Sequence, residues 1–213
     1  MTFKFKEGKL TPALVEKVLE NHTDEHMVKP KLVYISNATE IGTIYYKEEL
    51  KALYEYCQSR KLLLFIDGAR LGSALAAEDN DVTLFDMANY SDAFYIGGTK
   101  NGALLAKERV ISIGFIELFR ERLFFELAEH ANQMAKLLNG GIERAGYCTL
   151  TKSTTNQIFP IFPNEVVEEL KKQFDFSEWE RIDDNQVAIR LVTSWATPRT
   201  EVEKFCEYLN ELK

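Results

Sequence analysis

Leu62-Leu63-Leu64-Phe65-Ile66-Asp67-Gly68-Ala69-Arg70 is the stretch on which the fold turns. An apolar run from Leu62 to Ile66 stops at an aspartate. A strand covered on both faces reads this way, and such strands belong to parallel sheets. Upstream, Lys31 to Ser36 (KLVYIS) is short, β-branched and aromatic, and reads as another buried strand. Downstream, Ala93 to Ile96 reads as a third. Between the first two, Lys47 to Arg60 places Leu50, Leu53, Tyr54 and Cys57 on one helical face. Leu71 to Ala77 begins a further helix, and Val82 to Ala88 reads as a short helix or turn. Leu10 to Asn21 is an amphipathic helix with Thr11 as N-cap and Pro12 at the first helical position. Alternating strands and helices imply an α/β fold of βαβ units on a mostly parallel sheet. Ligands collect at the carboxyl ends of such strands. Ser36, Asp67 and Gly97 each follow a strand, so Asn37, Asp67 and Lys100 are expected to converge there.

From Arg109 onward the texture changes. Phe115 to Leu138 reads as a long helix, which Gly140-Gly141 is expected to end. Gln157 to Phe162 reads as a strand, Asn164 to Gln173 as a helix, Gln186 to Val192 as a strand, and Pro198 to Leu212 as an amphipathic helix. The expected division gives residues 1–110 to part of a large domain. Residues 111–213 form a connecting helix and a small α+β domain, with the boundary near 103–120.

Composition narrows the function classes. The chain has 213 residues, of which 46% are hydrophobic and 12% aromatic, ample for a packed core and against disorder. A net charge of −7 and a pI of about 5.2 make nucleic acid and anionic membrane poor partners. No stretch is apolar for long enough to span a bilayer. Met1 to Lys9 carries Lys4, Lys6 and Lys9 but lacks the apolar centre of a signal peptide, so a cytoplasmic location is expected. Cys57, Cys148 and Cys206 form no CxxC pair and read as small apolar residues in a reducing compartment. His22 and His26 stand four apart without a carboxylate–histidine motif, and no metal site is expected.

Four positions carry the candidate chemistry. A carboxylate at the end of an apolar strand is costly without a partner, and for Asp67 a pyridinium nitrogen is suitable. Asp67 could equally cap a following helix or pair with Arg70. Lys100, in Gly97-Gly98-Thr99-Lys100-Asn101-Gly102, sits among glycines that would leave room for a cofactor, with the Thr99 hydroxyl available for a phosphate. A solvated loop lysine is the other reading, and the spacing is not that of a phosphate loop. Arg190 interrupts the apolar strand Ile189-Arg190-Leu191-Val192. It and Arg70 offer forks for a substrate carboxylate, although an edge-strand arginine facing water would read alike. The Asp–Lys pair is more specific than either residue, and the combination fits a pyridoxal 5′-phosphate (PLP) site.

These segments resemble the low-specificity threonine aldolases, β-eliminating lyases among the fold-type-I PLP enzymes. The resemblance rests on Ile66-Asp67-Gly68-Ala69-Arg70-Leu71 and the Gly97–Gly102 motif, and extends to Gly8–Pro12, Ile35–Thr43 and Arg190–Thr197. It implies that Lys100 is the Schiff-base lysine and that Asp67 meets the pyridine nitrogen. Arg70 and Arg190 would serve the cofactor phosphate or the substrate carboxylate. The implied reaction splits threonine or allo-threonine into glycine and an aldehyde, in a homo-oligomer (dimer or tetramer). The sequence departs from the family pattern twice. The glycine-containing phosphate cradle and the ring-stacking histidine have no counterpart before Lys9. Asn101-Gly102-Ala103 also leads directly into Leu104-Leu105-Ala106-Lys107, as though a segment were missing between Gly102 and Ala103. A catalytically impaired relative, or another fold-type-I lyase, are the competing expectations.

Overall fold

The computed structural model describes residues 8–22, 28–101 and 116–212. The Gly102–Ala103 junction, the expected 103–120 boundary up to residue 115, Lys4, Lys6 and His26 lie outside them.

The first unit is built around β1 (Leu32–Ser36), β2 (Leu63–Asp67) and β3 (Ala93–Phe94), in the order β1-β2-β3 and parallel throughout. Register pairs Tyr34 with Phe65 and Ser36 with Asp67. Helix α1 (Pro12–Glu20), α2 (Lys47–Ser59), α3 (Leu71–Leu75) and α4 (Leu84–Asn89) supply its other core residues. Val15, Leu50, Leu53, Cys57, Leu71 and Met87 pack with Val33, Ile35, Leu64 and Ile66 of the strands. Thr11 caps α1 in extended conformation without a side-chain bond, while Thr83 and Asp86 cap α4 reciprocally. The expectation of strands buried on both faces is corrected. Leu32, Tyr34 and Leu63 are each more than half exposed, and burial along β1 and β2 alternates. The helices cover one face, and the apolar run reflects aromatic and aliphatic residues on the other.

The second unit is antiparallel. Strand β7 (Gln186–Val192) lies at its centre, paired with β4 (Gln157–Ile158), β5 (Ile161–Pro163) and β6 (Ser177–Arg181). The expected single strand Gln157 to Phe162 is therefore two. Pro160 has no N–H to donate, and the ladder breaks at it. Strand β6, Ser-Glu-Trp-Glu-Arg, had no apolar pattern to announce it. All five residues are exposed, and charges of this kind suit a sheet edge. Helix α5 (Leu123–Arg144), α6 (Asn164–Leu170) and α7 (Arg199–Glu211) close this core around Phe162, Ile189 and Phe205.

Gly140-Gly141 does not end the long helix; α5 runs through both to Arg144. A β-carbon on Gly141 would stand 2.1 Å from Cys206 Sγ, so this glycine exists for the close approach of α7. The terminating glycine is Gly146, at φ +87°, whose N–H donates to the Glu143 carbonyl. The expected helix is interrupted rather than continuous: residues 116–119 are helical, Glu121 and Arg122 adopt positive φ and kink the chain, and α5 begins at Leu123.

Two seams join the units. Asn132 on α5 donates to the Ser73 carbonyl of α3 (2.9 Å). Thr151, Ser153 and Thr155 donate to the carbonyls of Ile41 and Gly42. Gly42 has φ +79°, and a β-carbon there would meet Ser153 Oγ at 2.4 Å. The second seam fixes the 37–43 loop, and with it Glu40, beside the carboxyl ends of the strands.

Candidate active site

Asp67 is the last residue of β2, and the pleat places it on the open face with Phe65 two residues before. Tyr34 of β1 stacks on Phe65 with ring centroids 5.6 Å apart, and Tyr95, just past β3, lies 6.2 Å from the same ring. The Tyr34 hydroxyl donates to Asp67 Oδ2 and the Tyr95 hydroxyl to Oδ1. The Ala69 N–H adds a 2.8 Å bond to Oδ1. Burial pushes the Asp67 carboxyl up. The two phenols, the Ala69 N–H and the charge of Lys100 outweigh it and hold the group below the ordinary aspartate value. In return, the bond to Asp67 raises Tyr34 and pushes Tyr95 up to about 12. Neither alternative for Asp67 is met: the following helix starts at Leu71 with Arg70 as its N-cap and no side-chain cap bond, the Ala69 N–H bond only closes the turn before it, and Arg70 forms its ion pair with Glu40.

The turn after β2 lies against the turn after β3, backbone to backbone. A β-carbon on Gly68 would sit 1.8 Å from the Tyr95 carbonyl oxygen, and one on Gly97 2.6 Å from that of Ala69. Gly97 N–H donates to the Gly68 carbonyl at 2.9 Å. These glycines therefore bring the two strand ends together, rather than making the space for a flat ligand that the sequence suggested. Lys100 follows on a 3₁₀ turn, Thr99–Asn101, with Thr99 exposed beside it. Loss of hydration, then the Arg70 guanidinium, lowers the Lys100 amine below the usual lysine value. Glu40 and Asp67 pull the other way, and Arg190 adds to the lowering.

Arg70 is 8% exposed. Its Nη1 lies 3.9 Å from Glu40 Oε2, and its Nε has no hydrogen-bond partner among the described residues. Burial, opposed by Glu40 and reinforced by Arg190, lowers its pKa. Arg190 stands on the central strand β7, not on an edge, with its guanidinium 5.7 Å from the Trp179 ring centroid. Its charge is felt at both Arg70 and Lys100. The structure thus gathers Asp67, Arg70, Lys100 and Arg190 into one electrostatic cluster. Asn37 is spent on the fold: it is buried and its Oδ1 accepts from the Tyr45 N–H. His22 lies past the end of α1 against the Val18 carbonyl, and His130 bonds the Thr197 carbonyl. No group of three or more His, Cys, Asp or Glu among the described residues is placed to hold a metal ion.

Sequence reading missed Tyr34, Tyr95 and Glu40 as site residues. The tyrosines looked like strand-forming aromatics, and only register and twist direct their hydroxyls to Asp67. Glu40 is placed by the seam to residues 151–155, a long-range contact without a local signal.

An aspartate closing one parallel strand, a lysine after the next, and a buried arginine with an open donor define the site class of fold-type-I PLP enzymes. Comparison with known proteins agrees. Residues 1–149 match the family model described as beta-eliminating lyase, and the chain belongs to that family. It is 31% identical over 165 residues to a low specificity L-threonine aldolase of a Pseudomonas species, covering 65% of this chain and 48% of that one. The solved threonine aldolase of Leishmania major superposes with a TM-score of 0.94 at 41% identity, over 99% of this chain and 69% of that one. A Thermus thermophilus aspartate aminotransferase mutant, at 15% identity and a TM-score of 0.62 over 96% of this chain and 60% of that one, shares the fold. The chain spans about half the length of the curated relatives it matches. Fold-type-I β-eliminating lyases and threonine aldolases depend on PLP. The donor set here fits that group: an ionised carboxylate for a protonated ring nitrogen, an exposed amine of lowered proton affinity for a carbonyl carbon, and an unfilled guanidinium N–H for an anion. No described helix is long and apolar enough to cross a membrane.

Proposed function

We propose that this chain belongs to a PLP-dependent aldehyde-lyase that cleaves threonine or allo-threonine to glycine and an aldehyde. The single observation that carries the reading is the cluster of Lys100, Asp67, Arg70 and Arg190 in a chain 41% identical to a solved threonine aldolase. When bound, the cofactor supplies an electron sink for the carbanion left on the substrate Cα. Lys100 supplies the amine that holds it. Desolvation and the neighbouring guanidinium favour the neutral, nucleophilic form of that amine at a lower pH than for a free lysine. Asp67, kept ionised by its hydrogen bonds, holds the proton on the ring nitrogen. Thr99 offers a hydroxyl to the phosphate. Arg70 and Arg190 present forks that orient an anion, the substrate α-carboxylate or the phosphate. Burial of Arg70 excludes competing water, and the cation–ring contact with Trp179 restrains Arg190.

The two larger hydrophobic clusters, one in each unit, support residues 1–110 as part of the cofactor-binding domain and 111–213 as a connecting helix and small α+β domain. Self-association as a homo-oligomer and a cytoplasmic location complete the proposal.

The test is direct. The chain mixed with PLP is expected to develop the yellow absorbance of lysine-bound cofactor and to release glycine from threonine or allo-threonine, and Lys100→Ala is expected to lose both. No absorbance would overturn the cofactor reading. Absorbance with β-elimination or transamination and no glycine release would move the chain to another fold-type-I activity.

A further inference from the structure

The aromatic row on the open face of the parallel sheet has a consequence beyond packing. Among the described residues, Asp67 Oδ1 accepts two hydrogen bonds, from the Ala69 N–H and the Tyr95 hydroxyl. Oδ2 accepts one, from Tyr34. A carboxylate oxygen has two acceptor positions. Oδ1 is therefore full, and Oδ2 has room for one more donor. One phenol comes from β1 and the other from the residue just past β3, on the two sides of β2, so the carboxylate is gripped from both sides and cannot rotate without breaking a bond. The phenols are themselves restrained, because Tyr34 stacks on Phe65 at an interplanar angle of 14° and Tyr95 packs against the same ring.

We propose that Tyr34 and Tyr95 are positioning residues that clamp the Asp67 carboxylate and leave only its Oδ2 open to the ring nitrogen of a bound pyridinium cofactor. The inference rests on the functional reading above for the identity of the cofactor, but the clamp belongs to this chain's own residues. Other groups bear on the carboxylate. Lys100 lowers its proton affinity, the charge of Asp67 is felt at Arg70, and the charge of Glu40 further disfavours ionisation of both phenols. Among the described residues, the hydrogen bonds to Asp67 come from the phenols and the Ala69 N–H, which are therefore the orienting contacts.

The experiment compares the full chain with Tyr34→Phe, Tyr95→Phe, the double variant and Asp67→Asn. Phenylalanine keeps the ring stack and removes only the donor. Carboxyl-carbon NMR of the cofactor-free protein follows the Asp67 titration, assigned by its loss in Asp67→Asn. Each single variant is expected to raise that titration by roughly half to one pH unit, and the double variant by more. Added PLP is expected to bind the double variant roughly threefold to tenfold more weakly, with the pH dependence of its absorbance displaced. An unmoved Asp67 titration in the double variant overturns the clamp. So does a moved titration with PLP affinity and absorbance unchanged. If Asp67→Asn itself leaves PLP affinity and absorbance unaltered, the assignment of Asp67 to the cofactor fails, which separates that failure from loss of the clamp alone.

Discussion

Arg70 Nη1 lies 3.9 Å from the Glu40 carboxylate, and the two partners differ sharply in environment: the arginine side chain is 8% exposed and the glutamate 65%. The pair joins the turn after β2 to the loop after β1 at the edge where Lys100 emerges. A half-solvated pair of this kind contributes little to stability, below about 1 kcal/mol. Its effect on charge is larger, because Glu40 counters the lowering of Lys100 by desolvation and Arg70.

Glu40→Gln should therefore leave folding almost intact and lower the Lys100 pKa further. The sign follows from the directions: Glu40 stabilises the ammonium, and removing it favours the free amine. The pH at which Lys100 captures PLP, measured by borohydride trapping across a pH series, is expected to fall. A rise would contradict the arrangement.

Arg190→Lys keeps the charge but removes the planar fork and its contact with Trp179. If the guanidinium grips the substrate carboxylate, KM should rise about tenfold with a smaller change in kcat. Arg70→Lys should cost at least as much, because the buried Arg70 leaves no space for water to replace its donors. Steady-state kinetics with threonine measure both, and an unchanged KM in both variants would exclude the carboxylate role.

Gly141→Ala places a methyl 2.1 Å from Cys206 Sγ across the α5–α7 contact. Overpacking of this kind should destabilise the second unit by about 1–3 kcal/mol in urea unfolding. Adding Cys206→Ala should recover part of the loss. Gly140→Ala is a control, since its β-carbon would meet only the flexible end of Arg144, at 3.3 Å.

Thr83→Ala removes the acceptor of the Asp86 N–H (3.1 Å) and one donor to the Asp86 carboxylate, and should cost about 1 kcal/mol. The Thr83 hydroxyl, the Thr83 N–H and Lys47 hold Asp86 below the ordinary aspartate value against the opposing effect of burial. A depressed carboxylate stabilises the fold above its unfolded pKa, near 4, and loses that contribution as pH falls through the folded value. Thermal unfolding of wild type and variant should thus differ most at pH 7, the gap narrowing in acid to the contribution of the cap bond to the Asp86 N–H.

The local signals in the sequence were sufficient for the helices that carry caps and stripes, since Pro12, the Leu50–Leu53–Cys57 face and the α7 stripe are set by residues three or four apart. They also placed Asp67 and Lys100 at strand ends, because an apolar run that stops at a charge or a glycine marks that end by itself. They failed at β6, whose exposed charged residues form a strand only because β7 offers a partner, and at Gly141, whose meaning lies in Cys206 on another helix.

What the sequence alone determined is therefore the βαβ order and the family, and it singled out the Asp–Lys pair and two arginines as candidates. These follow from periodicity and from short motifs within a few residues. Tertiary structure alone decided that Tyr34 and Tyr95 grip Asp67, that Arg190 comes within range of Arg70 from the second sheet, and that Glu40 counters both Arg70 and Lys100. Each of these depends on strand register or on a seam between segments far apart in the chain. No local propensity encodes a contact whose partner lies 28 or 33 residues away, as it does for Asp67 with Tyr95 and with Tyr34.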